Sequence, residues 1–306
     1  MIGLQAIGVH IPDTRISNYD RKEQFSLEDS FIEEKLGITH VAEKNCGDQT
    51  SDLAVKAFED LSMRHGLDKS KIECLVVVTQ NPDYNLPHTS AIVHAKLDLP
   101  ENCACFDISL GCSGYVYGLS LIESFMRGNN MACGVLITAD PYSSIIDRAD
   151  KNTTLLFGDA ATASLISTNS KFTTGKYTFG TSGKGYSELI CREKTLYMNG
   201  RSIYDFVARK VPDSIKHLLA INQLKIESVD KFIFHQGSRY MHKTILSRLK
   251  IDGAKAPFDA TKYGNTVSSS IPILLQKHLD DNSINTVVIC GFGVGLSWGG
   301  GVLNRK

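Results

Sequence analysis

Short apolar runs alternate with amphipathic stretches along most of this chain. Asp52 to His65 carries apolar residues at 53, 54, 57, 58 and 61, a helical stripe that stops at Gly66. Cys74 to Val78 is apolar at successive positions, which predicts a buried strand over Cys74 to Thr79. Ala104 to Ile108 is a second short strand. Tyr115 to Arg127 follows as a helix with 115, 116, 119, 122, 123 and 126 near one face, ended by Gly128. Cys133 to Thr138 and Ala161 to Ser167 read as strands on either side of Phe157-Gly158-Asp159. Strands alternating with helices predict an α/β fold with substantial parallel sheet.

The same order returns in the second half. Ile203 to Ala220 reads as a long helix and Lys231 to Phe234 as a strand, introduced by Leu224 to Asp230 as Leu67 to Glu73 introduces Cys74 to Thr79. Gly264-Asn265-Thr266 leads into a helix predicted over Ser269 to Leu279, as Gly111-Cys112-Ser113 leads into its own. Val287 to Cys290 and Leu296 to Leu303 are the last strands, with a Gly-rich loop expected between them. Corresponding features lie about 155 residues apart, far beyond the 20 to 50 of a solenoid repeat. We read a duplicated α/β unit with halves at 1–167 and 168–306.

The chain has 306 residues with 33 basic and 33 acidic side chains, so its net charge offers no footprint for nucleic acid or an anionic membrane. No apolar run is long enough to span a bilayer, and Met1 to Ala6 does not open a signal peptide. The expectation is a cytoplasmic protein whose eight cysteines are mostly reduced thiols. Cys103-x-Cys105 is the one close cysteine pair and has no matching second pair, so no metal site is expected.

Cys112 differs from the other cysteines by position. It lies between glycines on a tight strand-to-helix turn, where backbone N–H groups and the helix dipole favour a thiolate and are expected to lower its pKa. His235 follows the apolar strand directly and enters a Gly-containing loop, so it can face a cleft. Asn265 is either a helix N-cap or a functional amide, and it occupies the place in the second half that Cys112 has in the first. A cysteine, a histidine and an asparagine form a nucleophilic constellation. No papain-like run around the cysteine, P-loop or dinucleotide fingerprint is present.

Asp107 to Tyr115 resembles the nucleophile motif of the 3-oxoacyl-[acyl-carrier-protein] synthase III family. Leu156 to Ala161, His235-Gln236, Tyr263 to Thr266 with Ser270-Ile271-Pro272, and Gly291 to Gly299 resemble its other motifs in the same order. The resemblance covers essentially the whole chain. It implies the thiolase fold, two β-α-β-α-β-α-β-β halves in five layers, as a homodimer. It implies that Cys112 is acylated by an acyl-CoA, and that His235 and Asn265 hold the thioester carbonyl of a malonyl group on acyl carrier protein as CO2 leaves. The backbone N–H groups of Cys112 and Val294 would form the oxyanion hole. CoA thioester is a substrate here, and no permanently bound cofactor is implied.

The chain departs from the family pattern in places. Phe31 and Lys151 stand where a Trp and an Arg often stack on CoA, and Val294 replaces a usual Gly. Leu86 matches a residue that crosses a dimer to line the partner's acyl pocket. Arg239, Lys243, Arg248 and Lys250 are expected to form a basic docking face for the carrier protein. A second enzymatic reading, acyl transfer to an amine or hydroxyl without decarboxylation, has less need of both His235 and Asn265. A non-catalytic subunit has no need of Cys112.

Overall fold

The computed structural model describes residues 1–306. The first half comprises strand β1 (Gly3–His10), helix α1 (Thr50–His65), β2 (Cys74–Val78), α2 (Thr89–Leu97), β3 (Ala104–Ile108), α3 (Gly114–Gly128), β4 (Cys133–Ala139) and β5 (Ala161–Ser167). The second comprises β6 (Phe172–Thr174), α4 (Gly200–Ile221), β7 (Lys231–Phe234), α5 (Arg239–Leu249), α6 (Ser270–Gln276), β8 (Thr286–Gly293) and β9 (Ser297–Arg305). Strand order is β7-β8-β9-β6-β1-β5-β4-β2-β3. Outward from the centre each half therefore runs in the same sequence, and the two meet at one pair, Leu4 opposite Phe172. This is the duplicated thiolase architecture.

The layers follow from the two faces of each strand. On β2, Cys74, Val76 and Val78 join an inner core with Tyr115, Leu119 and Ile122 of α3 and Ile271 and Leu275 of α6. Leu75 and Val77 point the other way, onto Leu53, Phe58 and Leu61 of α1. On β8, Val287 and Ile289 face the inner layer, while Val288 and Cys290 pack under Val207, Val211 and Ile215 of α4. Helices α3 and α6 are thus sandwiched between two sheet halves, with α1 and α2 outside one and α4 and α5 outside the other.

Three expectations change here. The counterpart of β3 in the second half is not a laddered strand. Instead, Ala256 and Asp259 are held by side chains: His242 Nε2 meets the Ala256 carbonyl at 2.8 Å, and Gln236 Oε1 accepts from the Asp259 N–H at 2.8 Å. The helix expected over 269–279 spans only Ser270–Gln276, because its last turn tightens to i→i+3 bonds at Lys277, His278 and Leu279. The expected loop after Cys290 is strand as far as Gly293, since Gly291, Phe292 and Gly293 pair with Gly299, Trp298 and Ser297. No helix is long and apolar enough to cross a membrane.

Candidate active site

Three chain turns converge on one cavity of about 690 Å3, within the size range of small-molecule sites. Cys112, His235, Asn265, Phe292 and Gly293 lie along its walls, with Phe31, Lys151, Arg201 and Tyr240 among its other lining residues. The structure therefore brings together the three side chains singled out in the sequence.

Cys112 occupies the turn between β3 and α3, closed by the Gly114 N–H donating to the Gly111 carbonyl at 2.7 Å. Its side chain is buried against the β8–β9 hairpin. A Cβ placed on Gly293 would stand 2.9 Å from Cys112 Sγ, so only glycine lets the hairpin approach this closely. The N–H groups of Val294 and of Cys112 itself face the sulfur. Ser297 Oγ donates to the Val294 carbonyl at 2.9 Å and meets Ser113 Oγ at 2.7 Å, tying the hairpin to the Cys112 turn. Ser297 spends its one proton on the carbonyl, so Ser113 must be the donor between the two hydroxyls.

The expected low thiol pKa is not what this site produces. Burial, with a smaller push from Asp140, drives Cys112 up to about 12, against a downward pull from the two N–H groups. Asp140 is fully buried at the end of β4, and burial raises it to about 6 despite donors from the Gln80 N–H at 2.7 Å and Ser268 Oγ at 2.5 Å. Cys112 therefore rests as a thiol. The sequence signal for Asp140 is the same one that marked His235, a polar residue directly after an apolar strand.

His235 continues the β7 ladder, its N–H donating to the Cys290 carbonyl at 2.8 Å. Its ring meets the edge of Phe292 at 5.4 Å and 89°, and Nδ1 lies 2.7 Å from Ser270 Oγ. Burial depresses its pKa to about 3, so the imidazole is neutral. Asn265 is fixed at both ends of its backbone, its N–H donating to the Leu156 carbonyl at 2.8 Å and its carbonyl accepting from the Gly158 N–H at 3.0 Å. Gly264 makes this crossing possible with φ +85°, a left-handed conformation. Asn265 Oδ1 accepts from the Val267 N–H at 2.9 Å, which leaves Nδ2 as the donor for an occupant of the cavity. The cap and functional readings of Asn265 hold together: Oδ1 accepts an N–H at the start of the helical turn Val267–Ser269 that runs into α6, and Nδ2 stays free.

Phe31 and Lys151 meet at the cavity, with Lys151 Nζ 4.7 Å from the ring centre. Leu86 is 82% exposed and lines no part of the cavity within one chain. The four basic residues expected to share a docking face do not. Arg239 turns inward over the Phe258 ring at 4.7 Å and donates to Thr261 Oγ1 at 3.2 Å. Lys243 borders a hollow with Phe31, Lys35 and Lys151. Arg248 lies in a separate hollow with Arg209, Lys210 and Lys216 of α4 around Asp213, a mainly basic cluster the sequence reading missed although Arg209 and Lys216, seven residues apart, share a helix face. Lys250 is exposed at the end of α5.

Models of 3-oxoacyl-[acyl-carrier-protein] synthase III and of its C-terminal part match residues 106–183 and 219–305. A beta-ketoacyl-[acyl-carrier-protein] synthase III of Streptococcus agalactiae is 31% identical over 310 residues, covering 95% of each chain. The crystal structure of a 3-oxoacyl-(acyl-carrier protein) synthase from Burkholderia xenovorans is 29% identical with a TM-score of 0.91, covering 100% of this chain and 94% of that one. A beta-ketoacyl-[acyl-carrier-protein] synthase III of Thermus thermophilus is 28% identical with a TM-score of 0.92, covering 99% of both chains.

Proposed function

The chain belongs to the 3-oxoacyl-[acyl-carrier-protein] synthase III family of acyl-transferring condensing enzymes, and on that premise we propose that it joins an acyl group from acyl-CoA to a malonyl group on acyl carrier protein. The half at 1–167 supplies the nucleophile, and the half at 168–306 supplies the pair that activates the malonyl thioester.

In the first half-reaction Cys112 Sγ attacks the acyl thioester carbonyl. Burial keeps Cys112 a thiol and His235 a neutral imidazole, so the proton leaves the sulfur as the S–C bond forms. Oxygen in the tetrahedral state accepts from the N–H groups of Cys112 and Val294, and one such donor is worth about 3 to 4 kcal/mol. CoA leaves with a proton, and the acyl group stays on Cys112. In the second half-reaction Asn265 Nδ2 and His235 donate to the malonyl thioester carbonyl while the carboxylate departs as CO2. The enolate attacks the acyl carbon, and Cys112 leaves and is reprotonated from water. One observation carries this reading: a buried thiol faced by two backbone N–H groups shares its cavity with a side-chain amide whose donor end is free.

Phe31 and Lys151 receive CoA at the cavity. Arg209, Lys210, Lys216 and Arg248, four cations against the one carboxylate of Asp213, offer the acidic carrier a local basic surface on a chain of zero net charge. The free edge of β3 and the exposed Leu86 suit a homodimer, in which Leu86 closes the partner's acyl pocket. A cytoplasmic location is part of this proposal, as the compartment in which CoA and carrier-linked substrates would be met. The test is to load the enzyme from acyl-CoA and add malonyl carrier protein. Release of CO2 with a 3-oxoacyl product is expected, and a stable acyl-enzyme that yields neither rules out condensation.

A further inference from the structure

We propose that the Ser270 hydroxyl decides which ring nitrogen of His235 carries the proton, and that the reaction uses both settings; the inference rests on the condensation reading above. Ser270 opens α6, is wholly buried, and lies 2.7 Å from His235 Nδ1. Nδ1 is therefore committed to this hydroxyl, and Nε2 is the nitrogen left to serve the cavity. The same hydroxyl lies 3.0 Å from the Val267 carbonyl and 3.4 Å from the Gln236 N–H. A carbonyl only accepts, an N–H only donates, and a hydroxyl has one proton. Two arrangements satisfy these constraints.

In the first, Ser270 O–H donates to the Val267 carbonyl and its oxygen accepts from Nδ1–H. The Nε2 lone pair then faces the cavity. It takes the Cys112 proton as the new S–C bond forms and the CoA C–S bond breaks, and passes that proton to the departing CoA sulfur. In the second, Ser270 O–H turns to Nδ1, and Nε2–H donates to the malonyl carbonyl as the C–C bond to the carboxylate breaks. Passing from one to the other moves a single proton from Nδ1 to Nε2 by exchange with water between the half-reactions. The rotation is cheap for the backbone, because the Val267 carbonyl keeps the Ser270 N–H as a donor in both settings. The loop is bent to provide this choice: Val267 is β-branched yet has φ +51°, an outlier of the kind that persists where surrounding structure demands it.

Ser270 is a positioning residue, since it acts through His235. The decisive variant is Ser270→Ala. Without the hydroxyl no group donates to Nδ1, so the second setting loses its anchor while the proton on Nδ1 keeps the first. Loading of Cys112 from acyl-CoA should stay within about threefold of wild type, while CO2 release from malonyl carrier protein should fall about 100-fold, the scale of one lost transition-state donor. Ser270→Thr, which keeps the hydroxyl, should restore CO2 release. Nitrogen-15 NMR of His235 should find both Nδ1–H and Nε2–H forms in wild type and only Nδ1–H in Ser270→Ala. Equal loss in both half-reactions, no recovery in Ser270→Thr, or an Nε2–H form in Ser270→Ala would overturn the proposal. If Ser270→Ala does not fold, the wild-type spectrum decides, and a single form in both free and acylated enzyme overturns it. Failure of wild type itself to load and decarboxylate would instead defeat the condensation reading.

Discussion

Replacing Gly293 with alanine tests how tightly the sulfur is gripped. The added methyl would lie 2.9 Å from both Cβ and Sγ of Cys112, and turning the thiol moves Sγ but not Cβ, which is fixed to the backbone. Relief requires the β8–β9 hairpin to retreat, because Cys112 is anchored through the α3 turn and Ser113 through Ser297. Overpacking of this kind costs about 1 to 3 kcal/mol of stability. The effect on catalysis is larger. Retreat carries the Val294 N–H away from the oxyanion, and a displacement near 1 Å at a reacting centre is worth about 100-fold in rate. Rapid-mixing intact mass spectrometry of acyl-CoA loading, beside a thermal melt, measures both. Gly293→Ala should load at least about 100-fold more slowly while remaining folded. Loading within threefold of wild type would refute the claim that this hairpin sets the oxyanion donor.

Asn265→Asp keeps an acceptor for the Val267 N–H but replaces the Nδ2 donor with a second oxygen, so CO2 release should drop about 100- to 1,000-fold while acyl loading persists, read by separate assays of the two half-reactions. Glu123 is buried in α3, its Oε2 accepting from Thr174 Oγ1 at 2.5 Å, and burial raises it from 4.5 to about 7. A raised folded pKa makes this group's contribution complete below pH 4.5 and lost as pH rises through about 7. Glu123→Gln should therefore match wild type near pH 4.5 and exceed it by up to about 3 kcal/mol at pH 8, measured by urea unfolding. Charge reversal at Arg209 and Lys216 should raise KM for malonyl carrier protein about tenfold and flatten its salt dependence, since rim charges act mainly on encounter.

Much of the fold is legible because buried parallel strands are apolar at every position, as Cys74 to Val78 are, and because Gly66 and Gly128 stop their helices where the apolar stripe stops. The three candidate positions are legible for a related reason: each polar side chain sits where an apolar element ends or a helix is about to begin. Burial inverts one inference. A strand-to-helix turn promises a stabilised thiolate, but the turn at Cys112 is covered by a hairpin about 180 residues away in sequence, and no local pattern announces that cover. Arg239 is misread for the same reason, since Phe258 and Thr261 draw it inward from another loop. The Ser270 contact with His235 joins positions 35 apart, so Val267 to Ser270 reads locally only as a polar helix entry.

The account stands most directly on a pulse and chase followed by intact mass. Acyl-CoA should add one acyl mass to the wild-type chain, mapped to Cys112 and absent in Cys112→Ala, and malonyl carrier protein should then remove it with CO2 and a 3-oxoacyl product. An adduct that persists in Cys112→Ala, or one that malonyl carrier protein cannot discharge, would contradict it.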